Sequence, residues 1–119
     1  MRRRDREITE RKHIDEIIES CEVLRLGLNA EDGPYIVPLN FGYAPGSPAK
    51  FYFHGAKEGR KVDMIGSGCK AGFELDTGHR LGQAELGCSH TYFYQSVIGT
   101  GLVKPVEDLE EKKRALSLI

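Results

Sequence analysis

The stretch FYFHGAKEGRKVDMIGSG, residues 51–68, begins as a strand and ends as a helix. Phe51, Tyr52 and Phe53 form an aromatic, apolar run that predicts a strand continuing to His54. His54-Gly55-Ala56 follows, with small residues that let the backbone come close to another group. A short amphipathic helix is then expected from Glu58 to Ile65, with Gly59, Arg60 and Lys61 in its first turn and Val62, Met64 and Ile65 as its apolar contacts. Gly66-Ser67-Gly68 stops it. A strand that runs into a helix start beside two cations is a common way to hold a phosphate: free N–H groups point outward there and the helix dipole favours an anion. The plainer alternative is a solvated basic helix start after an edge strand.

Upstream, Thr9 is placed to cap a helix running to Ser20, with Ile14, Ile17, Ile18 and Cys21 on one side. From Glu22 to Ala30 the period becomes two: Leu24, Leu26 and Leu28 share one face of a strand. Glu31-Asp32-Gly33-Pro34 reads as a turn, and Tyr35-Ile36-Val37 as the returning arm of a hairpin. Pro38 removes an amide donor in mid-strand, which confines the arm to an edge or a bulge. Leu39-Asn40-Phe41 is expected to continue it, and Ala44 to Pro48 to form a second turn.

Downstream, Cys69 to Leu75 reads as a fourth strand, Asp76 to Gly87 as a long mobile connection, and Tyr92 to Val106 as the longest β segment. Gly99 and Gly101 within it suggest a bulge or a close approach. Glu107 to Ile119 predicts a helix with Leu109, Leu116 and Ile119 on its buried side. With no glycine or proline after that helix, the chain is expected to continue beyond Ile119 or to be completed by a strand outside it. The order α-β-β-β-α-β-β-α with short turns predicts one domain over residues 1–119, mainly β: an antiparallel barrel with flanking helices.

The 119 residues are 39% apolar and 29% charged with a net charge of −1, which argues against a dedicated nucleic-acid binder. Arg2-Arg3-Arg4 reads as a solvated end. No apolar run is long enough to cross a bilayer and no signal-peptide pattern follows the arginines. Cys21, Cys69 and Cys88 are an odd count without CxxC spacing, as expected of reduced thiols in the cytoplasm. Cys88-x-His90 lacks the paired, closely spaced ligands of a zinc site. Tyr92 and Tyr94 share a strand face suited to packing, and Glu74 and Asp76 read as strand-end acids beside a polar loop.

Taken in order, GPYIVPLNFGY, FYFHGAKEGRKVDMI, FELD, CSHTYFYQSVIGTG and EDLEEKKRAL resemble the pyridoxamine 5′-phosphate oxidase-like flavin-binding family, in particular its nitroimidazole-resistance branch. The resemblance implies an FMN-binding split barrel, assembled as a homodimer with the cofactor at the subunit interface. It implies that the backbone of Val37, Pro38, Leu39 and Asn40 lies along the flavin ring, that Phe53, His54 and Gly55 form the next wall, that Arg60 and Lys61 bind the phosphate, and that Ser96 reaches the flavin from the long later strand. Two departures stand out. Tyr35-Ile36-Val37 replaces the arginine-rich flavin strand of the pyridoxamine oxidases, and their C-terminal substrate segment has no counterpart, so oxidation of vitamin B6 is not expected.

Two functions follow. In one, FMN carries electrons from NADH or NADPH to a small acceptor such as a nitro compound or a quinone, with His54 as the candidate proton donor or flavin contact. His54 can equally be a histidine hydrogen-bonded at a strand end. In the other, the barrel carries or senses a flavin, a deazaflavin or haem without turnover.

Overall fold

A computed structural model of the chain describes residues 4–55, 58–82 and 91–119, with the backbone alone for 91 and 92. Ala56, Cys88, His90, most of the N-terminal arginine run and the side chain of Tyr92 lie outside the described residues. After a 3-10 turn at Arg4–Arg6 the elements are α1 (Arg11–Ser20), β1 (Leu24–Leu28), β2 (Tyr35–Leu39), β3 (Gly42–Ala44), β4 (Lys50–Tyr52), α2 (Arg60–Ile65), β5 (Cys69–Gly82), β6 (Thr91–Val103) and α3 (Leu109–Leu118). The fold is mainly β, antiparallel, with three helices. Among the described residues no helix is long and apolar enough to cross a membrane.

Four strands form one sheet in the order β2-β1-β5-β6, and β3 and β4 form a second, two-stranded sheet. The register of β1 on β2 pairs Leu24 with Leu39, Leu26 with Val37 and Leu28 with Tyr35, so all six side chains fall on one face. Leu24, Leu26, Leu28 and Leu75 are no more than 2% exposed and are the centre of the core. Phe51 of β4 joins the two sheets, with its ring 5.0 Å from both Tyr43 and Phe73 and 5.8 Å from Phe41. Pro38 sits on an edge strand, as its missing N–H requires.

The sequence reading is corrected in five places. The segment after Pro38 is not one continuous arm: it breaks at Asn40 and Phe41, and Gly42–Ala44 becomes β3 of the other sheet. Strand β4 stops at Tyr52, leaving Phe53 and His54 beyond it. Helix α1 starts at Arg11 behind Glu10, not behind a Thr9 cap. Asp76–Gly82, expected to be a connection, is strand paired with β6; a bulge between Thr77 and Arg80, with Gly78 at φ +70°, hides its alternation. In α3, Leu109 and Leu116 are each 64% exposed and Ala115 is the buried residue. That helix seats through its last turn, so close to β3 that a Cβ on Gly42 would lie 2.7 Å from Leu118 Cβ. It is braced by Tyr52 Oη and Lys50 Nζ, which donate to Glu111 at 2.8 and 3.4 Å. Its N-terminus is capped by Asp108, whose carboxylate accepts from the Glu111 N–H at 2.9 Å.

Candidate functional site

Beyond β4 the chain passes through Phe53, which is half-buried against the core, and then His54 and Gly55, both exposed. Helix α2 returns alongside. It is shorter than expected because its N-cap is Gly59 at φ +140°, a conformation that cannot continue a helix backwards. The fold brings Lys61 to Gly55: a Cβ built on Gly55 would stand 2.9 Å from Lys61 Nζ. The half-buried Lys61 makes no ion pair with a described residue. Gly55 and Lys61 therefore meet at one spot, with His54 the preceding residue of the chain.

Arg60 does not join them. Adjacent helical residues project about 100° apart, and Arg60 turns to the β1–β2 hairpin. There its Nη2 donates to Asp32 at 3.1 Å and its guanidinium lies 4.4 Å from the centre of the Tyr35 ring. Of the two cations expected to grip a phosphate, Lys61 is the one left facing Gly55. Arg60 locks the start of α2 to the hairpin tip.

The residues expected along a ring divide by strand alternation. Val37 and Leu39 are half-buried on the core side of β2, whereas Pro38 is exposed on the outer face opposite Arg25. Asn40 is exposed and its Nδ2 donates to the Glu22 carbonyl at 3.1 Å, which ties the end of β2 to the start of β1. On the same outer face runs an open groove of ≈ 390 Å³ lined by Arg25, Gly27, Ile36, Gly72, Phe73 and Glu74. Ser96 is exposed on β6 opposite Asp76. That is seven residues down the ladder from the Cys69–Val103 pair near the end of α2, roughly 23 Å at strand rise. Within one chain Ser96 is thus not brought together with His54, Gly55 and Lys61.

Near Ser96 lies a charged cluster that the sequence reading left as two strand-end acids. Arg25 Nη1 donates to Glu74 Oε1 and to Asp76 Oδ2, each at 3.0 Å, and Asp76 Oδ1 is hydrogen-bonded to His79 Nε2. The His79 ring stacks on Tyr94 with centroids 6.0 Å apart. The hydrogen bond with Glu74, and then His79, hold the Asp76 carboxyl below its usual range. Burial, and then the neighbouring Asp76, push Glu74 upward. The signal available in the sequence was Glu74-x-Asp76 on one strand face; the β1–β5 register that sets Arg25 opposite Glu74, and the bulge after Thr77 that carries His79, are not written in it.

Two features of the arrangement suit FMN. The cradle at Gly55, which a Cβ would fill, and the Lys61 ammonium beside it suit a phosphate. The groove with its exposed Ile36 rim offers apolar area to a planar ring. The residues fit such a ligand with one cation rather than two.

Comparison with known proteins bears on the family and the fold. A family profile described as pyridoxamine 5′-phosphate oxidase matches residues 10–119. The crystal structure of a candidate 5-nitroimidazole antibiotic resistance protein from Bacteroides thetaiotaomicron VPI-5482 superposes with a TM-score of 0.78 at 32% sequence identity. The match covers 94% of this chain and 65% of that one, so this chain spans about two-thirds of the neighbour's length. No curated protein sequence matches.

Proposed function

The chain belongs to the pyridoxamine 5′-phosphate oxidase family, and from that premise we propose that it is an FMN-binding reductase that passes electrons from NADH or NADPH to a small acceptor such as a nitro compound or a quinone. The observation that carries this reading is the Lys61 ammonium poised over Gly55 at the end of the β4 segment, beside His54. It is supported by the similarity to a nitroimidazole-resistance protein. Bound FMN would supply the redox chemistry. The chain's own part is to hold the anionic tail with Lys61, to leave Gly55 bare so that the tail can come close, and to offer His54 as the group that moves a proton near the ring.

The working unit of this reading is a homodimer, with FMN between the subunits. Two features support it. Ser96 lies far from Lys61 within one chain, so a partner's strand is needed to bring both to one cofactor. The outer face of the four-stranded sheet also leaves Ile36, Ile98 and Leu102 65%, 78% and 66% exposed.

The test is spectroscopic. The purified protein, supplied with FMN, is expected to absorb as a flavoprotein, to bleach with NADH or NADPH under exclusion of air, and to recolour when a nitro compound or quinone is added. A flavin that binds stoichiometrically yet never bleaches with either donor would overturn the reductase and leave a carrier. A haem Soret band in its place would overturn the flavin.

A further inference from the structure

We infer that Tyr35 and Asp32 of the β1–β2 hairpin are positioning residues of the anion site: they hold Arg60, and through it they fix the place at which Lys61 stands over Gly55. This rests on the reading of Lys61 in the preceding section and names what gives that lysine its position. Helix α2 cannot do so by itself. It has six residues, none of them buried, and its N-cap Gly59 has no side chain to satisfy the first N–H groups. A helix that short is marginal in water and takes its place from what it packs against. At its C-terminal end the support is apolar: Met64 and Ile65 lie half-buried against the core. Lys61 stands at the other end, in the first turn.

That first turn is held by Arg60, whose guanidinium lies 4.4 Å from the centre of the Tyr35 ring and donates to Asp32 at 3.1 Å. The two holds are unequal. The Arg60 and Asp32 side chains are 51% and 74% exposed, so water screens their ion pair and it contributes little. The Tyr35 ring is firmer, because β2 packs it half-buried against the core at the register position opposite Leu28. A planar guanidinium stacks on such a ring, and Asp32 sets its orientation. Lys61 needs this hold more than an arginine would. Its ammonium is a point charge on a flexible four-carbon stem, so its place depends on where the backbone beneath it is kept. No ion pair with a described residue keeps it over Gly55 instead. With Arg60 drawn to the hairpin, the next residue, about 100° round the helix, is turned to Gly55. Arg60 thus serves the anion without touching it.

The test is titration of FMN and riboflavin into the full chain as wild type, Tyr35→Phe and Tyr35→Leu, each also in a Lys61→Ala background. The Tyr35 substitutions leave the charge unchanged, so no long-range field enters. Tyr35→Leu is expected to weaken FMN about two- to five-fold and riboflavin not at all. Tyr35→Phe, which keeps the ring, is expected to bind both as the wild type does. In Lys61→Ala, Tyr35→Leu is expected to change nothing further. An unchanged FMN affinity in Tyr35→Leu, an equal loss for riboflavin, or a loss that persists in Lys61→Ala overturns the positioning role. Tighter FMN binding overturns it in favour of a second cation: Arg60, once freed, then reaches the phosphate itself. These outcomes leave Lys61 as the phosphate ligand, provided that Lys61→Ala alone weakens FMN; if it does not, the reading of the preceding section falls and this one with it. Should Tyr35→Leu fail to fold, Arg60→Lys keeps the charge and removes the planar group: FMN at least two-fold weaker with riboflavin unchanged is expected, and wild-type binding of FMN contradicts the role.

Discussion

The two faces of the four-stranded sheet are built from the same strands and differ in almost everything else. The inner face presents Leu24, Leu26, Leu28 and Leu75, essentially sealed from water, and takes up Phe51, Tyr43 and Ile18 from the second sheet and α1. The outer face presents Ile36, Ile98 and Leu102 to water, two bare glycines, and Arg25 held between two carboxylates. The inner face explains why the chain folds. The outer face adds little to that and leaves Ile36, Ile98 and Leu102 in water. The residues that hold the fold together thus lie on one side of the sheet, and the open groove of the proposed site on the other.

The sharpest way to break this comparison is a matched pair of truncations. Leu75→Ala, at a residue with no exposed surface, is expected to cost ~2–5 kcal/mol in a urea unfolding titration. Ile98→Ala, measured on the single chain at low concentration, is expected to change stability by no more than ~0.5 kcal/mol. Comparable losses at both positions would show that the outer face also holds the fold together.

A second contrast uses glycine. Gly99→Val drives a side chain into the Phe73 ring, and an over-packed core costs ~1–3 kcal/mol. Thermal melting of this variant below the wild type, beside a Gly72→Val variant that does not fall, would separate the faces by backbone positions alone. A Gly99→Val protein as stable as the wild type would mean that Phe73 can swing away.

The smallest effect is expected outside the sheet, where Tyr52 and Lys50 hold α3. The Tyr52 hydroxyl, and then Lys50, keep Glu111 below the ordinary carboxylate range. A carboxylate depressed in the folded state stabilises the protein above its unfolded pKa of 4.5 and loses that contribution as the pH falls through the lower folded value. Acidification from neutrality to below 4.5 should thus lower the melting temperature of the wild type slightly more than that of Tyr52→Phe. Identical pH dependence in the two proteins would remove this brace from the account.

Much of the inner face was legible beforehand, because Leu24, Leu26 and Leu28 state their side by alternation alone and Pro38 declares an edge. The misreadings have physical causes. Gly78 and His79 add residues to β5 that displace the period of two, so a paired strand looked like a polar connection. Leu109 and Leu116 are spaced as a buried stripe, yet α3 docks by its final turn, where the glycine at position 42 lets the helix close in. The motifs taken in order along the chain, FYFHGAKEGRKVDMI among them, pointed to the family. They could not show that Arg60 is captured by Asp32 and Tyr35, since that depends on where the hairpin tip falls in space. The Arg25–Glu74–Asp76–His79 cluster was invisible for the same reason: it is assembled by the register of two strands, β1 and β5, and by one bulge.

The central claim is that an anionic tail is gripped by Lys61 over Gly55. It is tested most directly by titrating FMN and riboflavin, which differ by the phosphate, into the wild type and Lys61→Ala. A charge-assisted contact of ~1.5–3 kcal/mol corresponds to a loss of roughly ten- to hundred-fold in FMN affinity. The account predicts that loss for FMN, with riboflavin binding almost unchanged. Equal weakening of both ligands, or of neither, would contradict it.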